Sequence, residues 1–363
     1  MTLGRDGTLV ALGAEPLATR HGEFVVHRFH NCTSGAPALA VTFGDVSGAA
    51  ALAARVHSSC VTSEAFGACD CDCAEQLDGA LAHIASDGRG ILFYLMQEGR
   101  GAGFVAKALD RMLVQSSPAP LTTFEAYARL GLPADQRTYG EVAAIMRLLG
   151  VQAPLRLLSN NPDKVAALRD AGADVAGTEP LRVRASAYSH DYLDAKARAG
   201  HTVAPTAGIH AAALPERVAV IRPEPLAPGS RLVRLAAYLL PVRGADAAWF
   251  RLHVYLDDAA HRERVVLTYG NGGDDVLVRI QRETLLDRFA PMTPRFRQGW
   301  YEAVARIVAH GRGVALFGDA GDDLHDVAAP LLRAHAGARR PIPLELDPGE
   351  RDDTALVRAA FAA

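Results

Sequence analysis

The chain has no stretch near the roughly 18 apolar residues that a membrane-spanning helix needs, and its opening, MTLGRDGTLVALGAEPLATR, has no apolar signal core. It also lacks a block of lysine and arginine. With a net charge of −3 and a pI near 6.5, a large nucleic-acid surface is not expected. Cysteine is scarce, five in 363 residues, and none follows Cys73. The expected location is the cytoplasm, where thiols stay reduced, and the cysteines then read as metal ligands rather than a disulfide framework. What remains is a composition of 49% hydrophobic and 22% charged residues. That suffices for ordinary cores, and the length suggests two domains.

Short strand-like runs alternate with helical patterns up to about residue 201. The runs 23-EFVVHRF-29, 38-ALAVTFG-44, 52-LAARVHS-58 and 90-GILFYLM-96 are expected strands. Leu77, Leu81 and Ile84 share one helix face, and Gly150 closes a second helix over 140–150. After the strand 155-LRLLS-159, Asn161 is an expected N-cap with Pro162 at the first helical position. The stretch 202–230 carries five prolines and reads as a linker or a loosely packed connection. The expected division is an α+β domain over 1–204, a linker over 205–230 and a second α+β domain over 231–363.

The second unit faintly repeats the first. Residues 41–66 and 266–289 both read as strand, glycine-centred turn and a strand carrying Arg55 or Arg279. Downstream, 78-DGALAHIASDGRGILF-93 matches 301-YEAVARIVAHGRGVALF-317, and the interval from the arginine to GRG is 33 residues in one and 32 in the other. Thr284 stands where Cys60 stands, so a duplicate here would carry no metal ligands. The GRG itself reads as a turn rather than a phosphate loop, because so short a glycine motif is weak.

Four of the five cysteines lie in 60-CVTSEAFGACDCDC-73. Cys71 and Cys73 can reach one ion from an extended loop, with Cys60 closing from the preceding strand. Three thiolates would leave a tetrahedral zinc one open position for chemistry. A closed structural site using Cys69 as well is the alternative.

The segments 55-RVHSSCVTSEAFGACDCDCAEQL-77, 88-GRGILFYLMQEGRGAG-103, 130-LGLPADQRTYG-140, 157-LLSNNPDK-164 and 189-SHDYLDAKARAGH-201 together resemble the GTP cyclohydrolase II family, over about residues 15–201. The resemblance implies an α+β fold, a homodimer, one zinc per chain on Cys60, Cys71 and Cys73, and Mg2+ with the nucleotide. The implied reaction is attack at C8 of GTP, opening of the imidazole ring and release of formate and pyrophosphate. Asp135 corresponds to a proton acceptor and Arg137 to the group engaging the α-phosphate. Read without that resemblance, the two also have a plainer reading as a loop ion pair, and a guanidinium that stays protonated suits phosphate stabilisation better than attack. Substrate contacts carry over as Arg55, His57, Ser58, Ser59, Gln76, Glu98, Gly99, Arg100, Thr123, Ser159 and Lys164. Among these, Arg100 and Lys164 can offset polyphosphate charge, and Glu98 can accept from a guanine edge.

Several positions depart from the family pattern. Arg111 stands where the family has a catalytic tyrosine, Asp70 and Met96 where it has arginine, Ser59 for glutamate, Ser159 for threonine and Tyr127 for asparagine. Three readings follow: complete GTP hydrolysis, a partial reaction or another nucleotide in a specialised pathway, and a nucleotide-binding regulator with structural zinc.

Overall fold

The computed structural model describes residues 5–362 apart from 49, 245–246, 272–273, 290–293, 320–323, 338–339 and 347–350. The first eight strands form one sheet. They are β1 (Arg5–Asp6), β2 (Leu9–Thr19), β3 (Gly22–Asn31), β4 (Pro37–Phe43), β5 (Leu52–Ser58), β6 (Gly90–Leu95), β7 (Leu155–Leu158) and β8 (Val175–Glu179), in the spatial order 1-2-3-4-6-5-7-8. The apolar run expected at 90–96 is the central strand β6, buried at every residue because helices cover both sheet faces. Helices α1 (Val61–Glu64), α2 (Cys73–Ser86), α3 (Phe104–Ser116), α4 (Thr123–Arg129), α5 (Gly140–Leu149), α6 (Pro162–Asp170) and α7 (His190–Arg198) complete this half. Leu77, Leu81 and Ile84 of α2 are fully buried against Phe24, Leu39 and Leu92. Asn161 caps α6 by accepting from Asp163 N at 3.0 Å, with Pro162 following.

A second sheet holds β9 (Glu224–Pro225), β10 (Leu232–Val242), β11 (Ala248–Asp257), β12 (Arg262–Tyr269), β13 (Asp275–Glu283), β14 (Gly313–Asp319) and β15 (Arg340–Pro343). Helices α8 (Pro294–His310), α9 (His325–Ala336) and α10 (Arg351–Ala360) pack on it. The order 10-11-12-14-13-15 repeats 2-3-4-6-5-7, with the same alternation of antiparallel and parallel neighbours. Register repeats too: Arg55 lies opposite Leu92, and Arg279 opposite Ala315. The chain is therefore two α+β domains of one topology, and each GRG makes the turn into its central strand. The stretch expected as a linker is mostly irregular, yet it supplies β9 and buries Val218 in the core shared by the two halves.

The halves pack reciprocally. Phe66 of the first sits 4.3 Å from Phe317 of the second, and Phe289 of the second sits 5.0 Å from Tyr94 of the first. Aligned on the arginine and GRG markers, Phe66 matches Phe289 and Tyr94 matches Phe317. Contact of i with j′ and of i′ with j is the signature of a two-fold, isologous interface, here built within one chain.

Candidate active site

Two joined chambers open at the C-terminal ends of β5 and β6. The smaller, about 110 Å³, is lined by Cys60, Cys71, Cys73, Ser59, Glu98, Gly99, Lys107, Asp110, Arg111, Thr123 and Tyr127. The larger, about 270 Å³, is lined by Arg55, His57, Gln76, Asp135, Ser159, Lys164, Lys196 and His201, among others. Ser58, Cys73, Arg100, Arg137 and Tyr192 face both. Every residue selected from the motifs thus lines this one cleft.

Chain geometry makes the thiol cluster. Cys60 ends the segment after β5, and Cys73 opens α2. The Sγ atoms of Cys60, Cys71 and Cys73 all lie within 4.8 Å of one another, with Cys60 and Cys71 at 3.8 Å. A tetrahedral ion with Zn–S near 2.3 Å requires about 3.8 Å between sulfurs. Hydrogen bonds from Cys71 and Cys73 drive the Cys60 thiol well below its ordinary range, against the effect of burial, with the Lys107 ammonium adding to the fall. Cys71 and Cys73 are correspondingly pushed up, each hydrogen-bonded to the ionised Cys60 and buried beside it. Three thiols so close cannot all ionise without a cation between them, and the trio fits a metal. Cys69 is not part of it. Its thiol turns to the carbonyl of Pro241 at 3.3 Å, and burial lifts its pKa to about 12.

Behind the thiols runs a chain of buried polar contacts. Lys107 Nζ reaches Cys60 Sγ at 3.1 Å, Thr62 Oγ1 at 2.9 Å and Glu98 Oε1 at 2.7 Å. Glu98 Oε2 accepts from Val61 N at 2.8 Å, so each of its oxygens already has one donor. Glu64 holds His57 Nε2 at 2.7 Å and also accepts from Tyr94 and from Cys60 N. His57 Nδ1, buried, has no hydrogen-bond partner among the described residues. The turn Gly99–Gly101 places Arg100 at φ 55°, a left-handed value that costs a non-glycine residue energy, with its guanidinium 4.0 Å from the Phe124 ring centre. Gly101 is needed there: a Cβ would come within 2.9 Å of the Gln136 carbonyl carbon. Tyr127 braces the same turn by donating to Gly99 O at 2.8 Å.

Positive charge dominates the larger chamber. Lys164 is buried, donates to Val56 O at 3.0 Å, and is held well below its usual pKa by burial and by Arg55 and Arg137. His201 falls to about 4 through burial and the charges of Lys196, Arg100, Arg137 and Lys164. Arg55 donates to Leu158 O at 2.7 Å and to Gln76. Asp135 and Arg137 form a bidentate pair with Nε–Oδ1 at 2.9 Å, so the loop ion pair exists, and it lies in the wall of the cleft. Burial raises Asp135, but hydrogen bonds and charge from Arg137 outweigh it and hold the carboxyl below its ordinary value. An excess of guanidinium and ammonium groups over carboxylates suits a polyanion.

Two departures noted in the sequence prove to be one feature. Arg111 pairs with Asp70 at 3.3 Å, both largely buried at the rim of the thiol chamber. Motif reasoning missed Glu64, Lys107, Tyr192 and Lys196. A signal was available for two of them: the chain has three lysines, Lys107, Lys164 and Lys196, and all three line the cleft. Lys196 also pairs with buried Asp72 at 2.9 Å, which fastens α7 over the opening.

Among the described residues, no helix is long and apolar enough to cross a membrane. The chain is 41% identical over 194 residues to the GTP cyclohydrolase-2 of Pseudomonas syringae pv. tomato, covering 53% of this chain and 93% of that one. It is 41% identical over 191 residues to that of Escherichia fergusonii, covering 52% and 94%. A solved two-domain 3,4-dihydroxy-2-butanone 4-phosphate synthase from A. baumannii matches 49% of this chain and 41% of its own at 20% identity, with a TM-score of 0.28, too low to equate the folds. The family model for GTP cyclohydrolase II matches residues 11–180 and again 239–335, one stretch in each half. With sheet order, cleft and both matched stretches in agreement, the chain belongs to the GTP cyclohydrolase II family.

Proposed function

We propose that the chain hydrolyses GTP at C8, opening the imidazole ring and releasing pyrophosphate and formate to leave a diaminopyrimidine nucleotide. The carrying observation is the junction of a thiol chamber with a cationic chamber across Ser58, Cys73, Arg100, Arg137 and Tyr192. Cys60, Cys71 and Cys73 would hold one zinc, which when bound supplies a nucleophile at neutral pH. Arg100, Arg137, Lys164 and Lys196 receive the triphosphate, with Mg2+ arriving on the nucleotide. Arg137, doubly bonded to Asp135, stays protonated and acts on the α-phosphate by charge. Glu98, oriented by Lys107 and Val61 N, keeps lone pairs for the N–H edge of guanine. We further propose a homodimer joined through faces outside the internal seam, which a solution mass would decide. Zinc-loaded protein given GTP and Mg2+ should yield formate and the diamino product in equal amounts. Unchanged GTP would refute the reading.

One observation favours a second reading, in which the reaction stops at the formylated pyrimidine nucleotide. Loss of formate needs a proton delivered to a poor amine leaving group, and Arg111, a permanent cation tied to Asp70, cannot deliver one. Two tyrosines line the chambers. Tyr127 is committed to Gly99 O, which leaves Tyr192, whose ring lies 4.4 Å from Lys196 Nζ and 5.6 Å from Arg111 Cζ. If the unaltered protein releases formate and Tyr192→Phe accumulates the formylated product, Tyr192 has taken over the phenol's task. Accumulation by the unaltered protein establishes the stalled reaction instead.

A further inference from the structure

The second half has no cysteine, yet several of its contacts with the first fall on the two elements that shape the thiol chamber. The end of β10 acts as a template for the loop between α1 and α2. Cys69 N donates to Pro241 O at 3.0 Å, Arg243 N donates to Gly67 O at 2.9 Å, and Ala68 bridges Val242 in antiparallel fashion. Trp300 Nε1 donates 2.9 Å to the carbonyl of Phe66, whose ring is seated on Phe317. Arg243 pairs with Glu75 in the first turn of α2, two residues after Cys73. Gly67 itself has φ 75°, and a Cβ there would come within 2.9 Å of the Tyr301 ring. From the other side, the Gln115 amide of α3, the helix carrying Lys107 and Arg111, accepts from Leu239 N at 2.7 Å and donates to Leu239 O at 2.8 Å.

We propose that the second half is a positioning domain for the metal site, whose β10 edge and Trp300 fix the spacing of Cys60, Cys71 and Cys73. Residues 65–72 follow the single-turn helix α1, precede α2 and include a glycine in a left-handed conformation, so by themselves they would sample many arrangements. Each arrangement lost on binding an ion lowers affinity, and a loop pre-set by outside bonds avoids that loss. Main-chain pairing sets the strand-like path of 67–69, the tryptophan fixes its start, and the Arg243–Glu75 pair fixes the helix on which Cys73 stands. The proposal rests on the metal-binding reading of the three cysteines and not on the identity of the substrate.

The test measures zinc affinity by chelator competition on the full-length chain, alongside the thermal midpoint of the zinc-free form. Trp300→Phe keeps an aromatic ring and removes the N–H, while Arg243→Ala removes a partly exposed ion pair; neither residue lines the cleft. Each should weaken zinc about tenfold, the lower end of what loss of a supporting contact costs a metal site. Leu331→Ala, in the core on the opposite face of the second sheet, should lower the midpoint while leaving zinc affinity within about twofold. The proposal is overturned if both seam variants bind zinc as the unaltered chain does. It is also overturned if Leu331→Ala weakens zinc as much as they do. An unaltered chain that holds no zinc removes the metal reading and this one together, whereas zinc held normally by inactive protein removes only the substrate reading.

Discussion

The two halves share a sheet and differ in what hangs from it. After β6 the first half spends residues 96–154 on α3, α4 and α5 before β7, whereas after β14 the second reaches β15 through α9 over 320–339. Glu98, Arg100, Lys107, Arg111, Thr123, Asp135 and Arg137 all lie in the longer excursion. The shorter one has no room for counterparts, and Ala320, Gly321, Asp322 and Asp323, expected opposite the QEGR motif, lie outside the described residues. The second half is therefore an internal control: what recurs without the cysteines serves the fold. Arg279 donates to Leu344 O at 3.4 Å as Arg55 donates to Leu158 O. Gly313 sits under Ile307 as Gly90 sits under Ile84, each with no room for a Cβ. By that measure Arg55 is a brace between strands before it is a ligand contact.

The sharpest division between the halves is the metal. Cys71→Ser should abolish both zinc binding and turnover, since two thiolates cannot hold a catalytic ion. Cys69→Ser should keep the zinc, because that thiol faces Pro241. Metal analysis of the two purified variants checks this, and zinc loss in Cys69→Ser would favour a closed four-thiolate site. Next in size is the phenol that position 111 lacks. If the unaltered chain stalls, Arg111→Tyr combined with Asp70→Asn, so that no buried acid is left unpaired, should raise formate release by about 10²- to 10⁴-fold, the usual worth of a placed general acid. Formate per GTP consumed is the readout.

A smaller effect tests the brace. Arg55→Ala and Arg279→Ala should each cost about 1–3 kcal/mol in denaturant melts, the price of orphaning a buried carbonyl, while Arg55→Ala alone should also raise KM. An unchanged kcat/KM for Arg55→Ala would leave it a brace only. A pH-dependent effect concerns Glu283, which aligns with Ser59. Burial lifts Glu283 to about 7 from 4.5, against the pull of Arg288. The folded chain then binds more protons than the unfolded one across that window, so this group's contribution to stability is lost as pH rises from about 4.5 to about 7. Glu283→Gln should flatten that slope in thermal midpoints measured across the window.

Much of this was readable in the residues themselves. Alternating and continuous apolar runs located the strands, Asn161-Pro162 located a helix start, and the paired Arg and GRG markers disclosed a second copy with the same topology. Cysteine spacing picked out three thiols that the fold brings together. Sequence could not show where Cys69 points, because its partner is a backbone carbonyl 172 residues away. The Asp70–Arg111 pair read as two unrelated oddities, since only the folded loop and α3 bring opposite charges together. Tyr192 and Lys196 sit on a helix held over the cleft in part by the pair of Lys196 with the buried Asp72, and no local periodicity marks such a contact.

The bond from Trp300 to Phe66 spans 234 residues, and it has a temporal side. A ribosome adding about 5–20 residues per second exposes the cysteines tens of seconds before the tryptophan that fastens their loop leaves the exit tunnel. During that interval the nascent thiols are present without their template, open to oxidants and to competing metals. Final closure of the loop waits until Trp300 has emerged, so a chain truncated before residue 300 would carry its cysteines in sequence with its clasp missing.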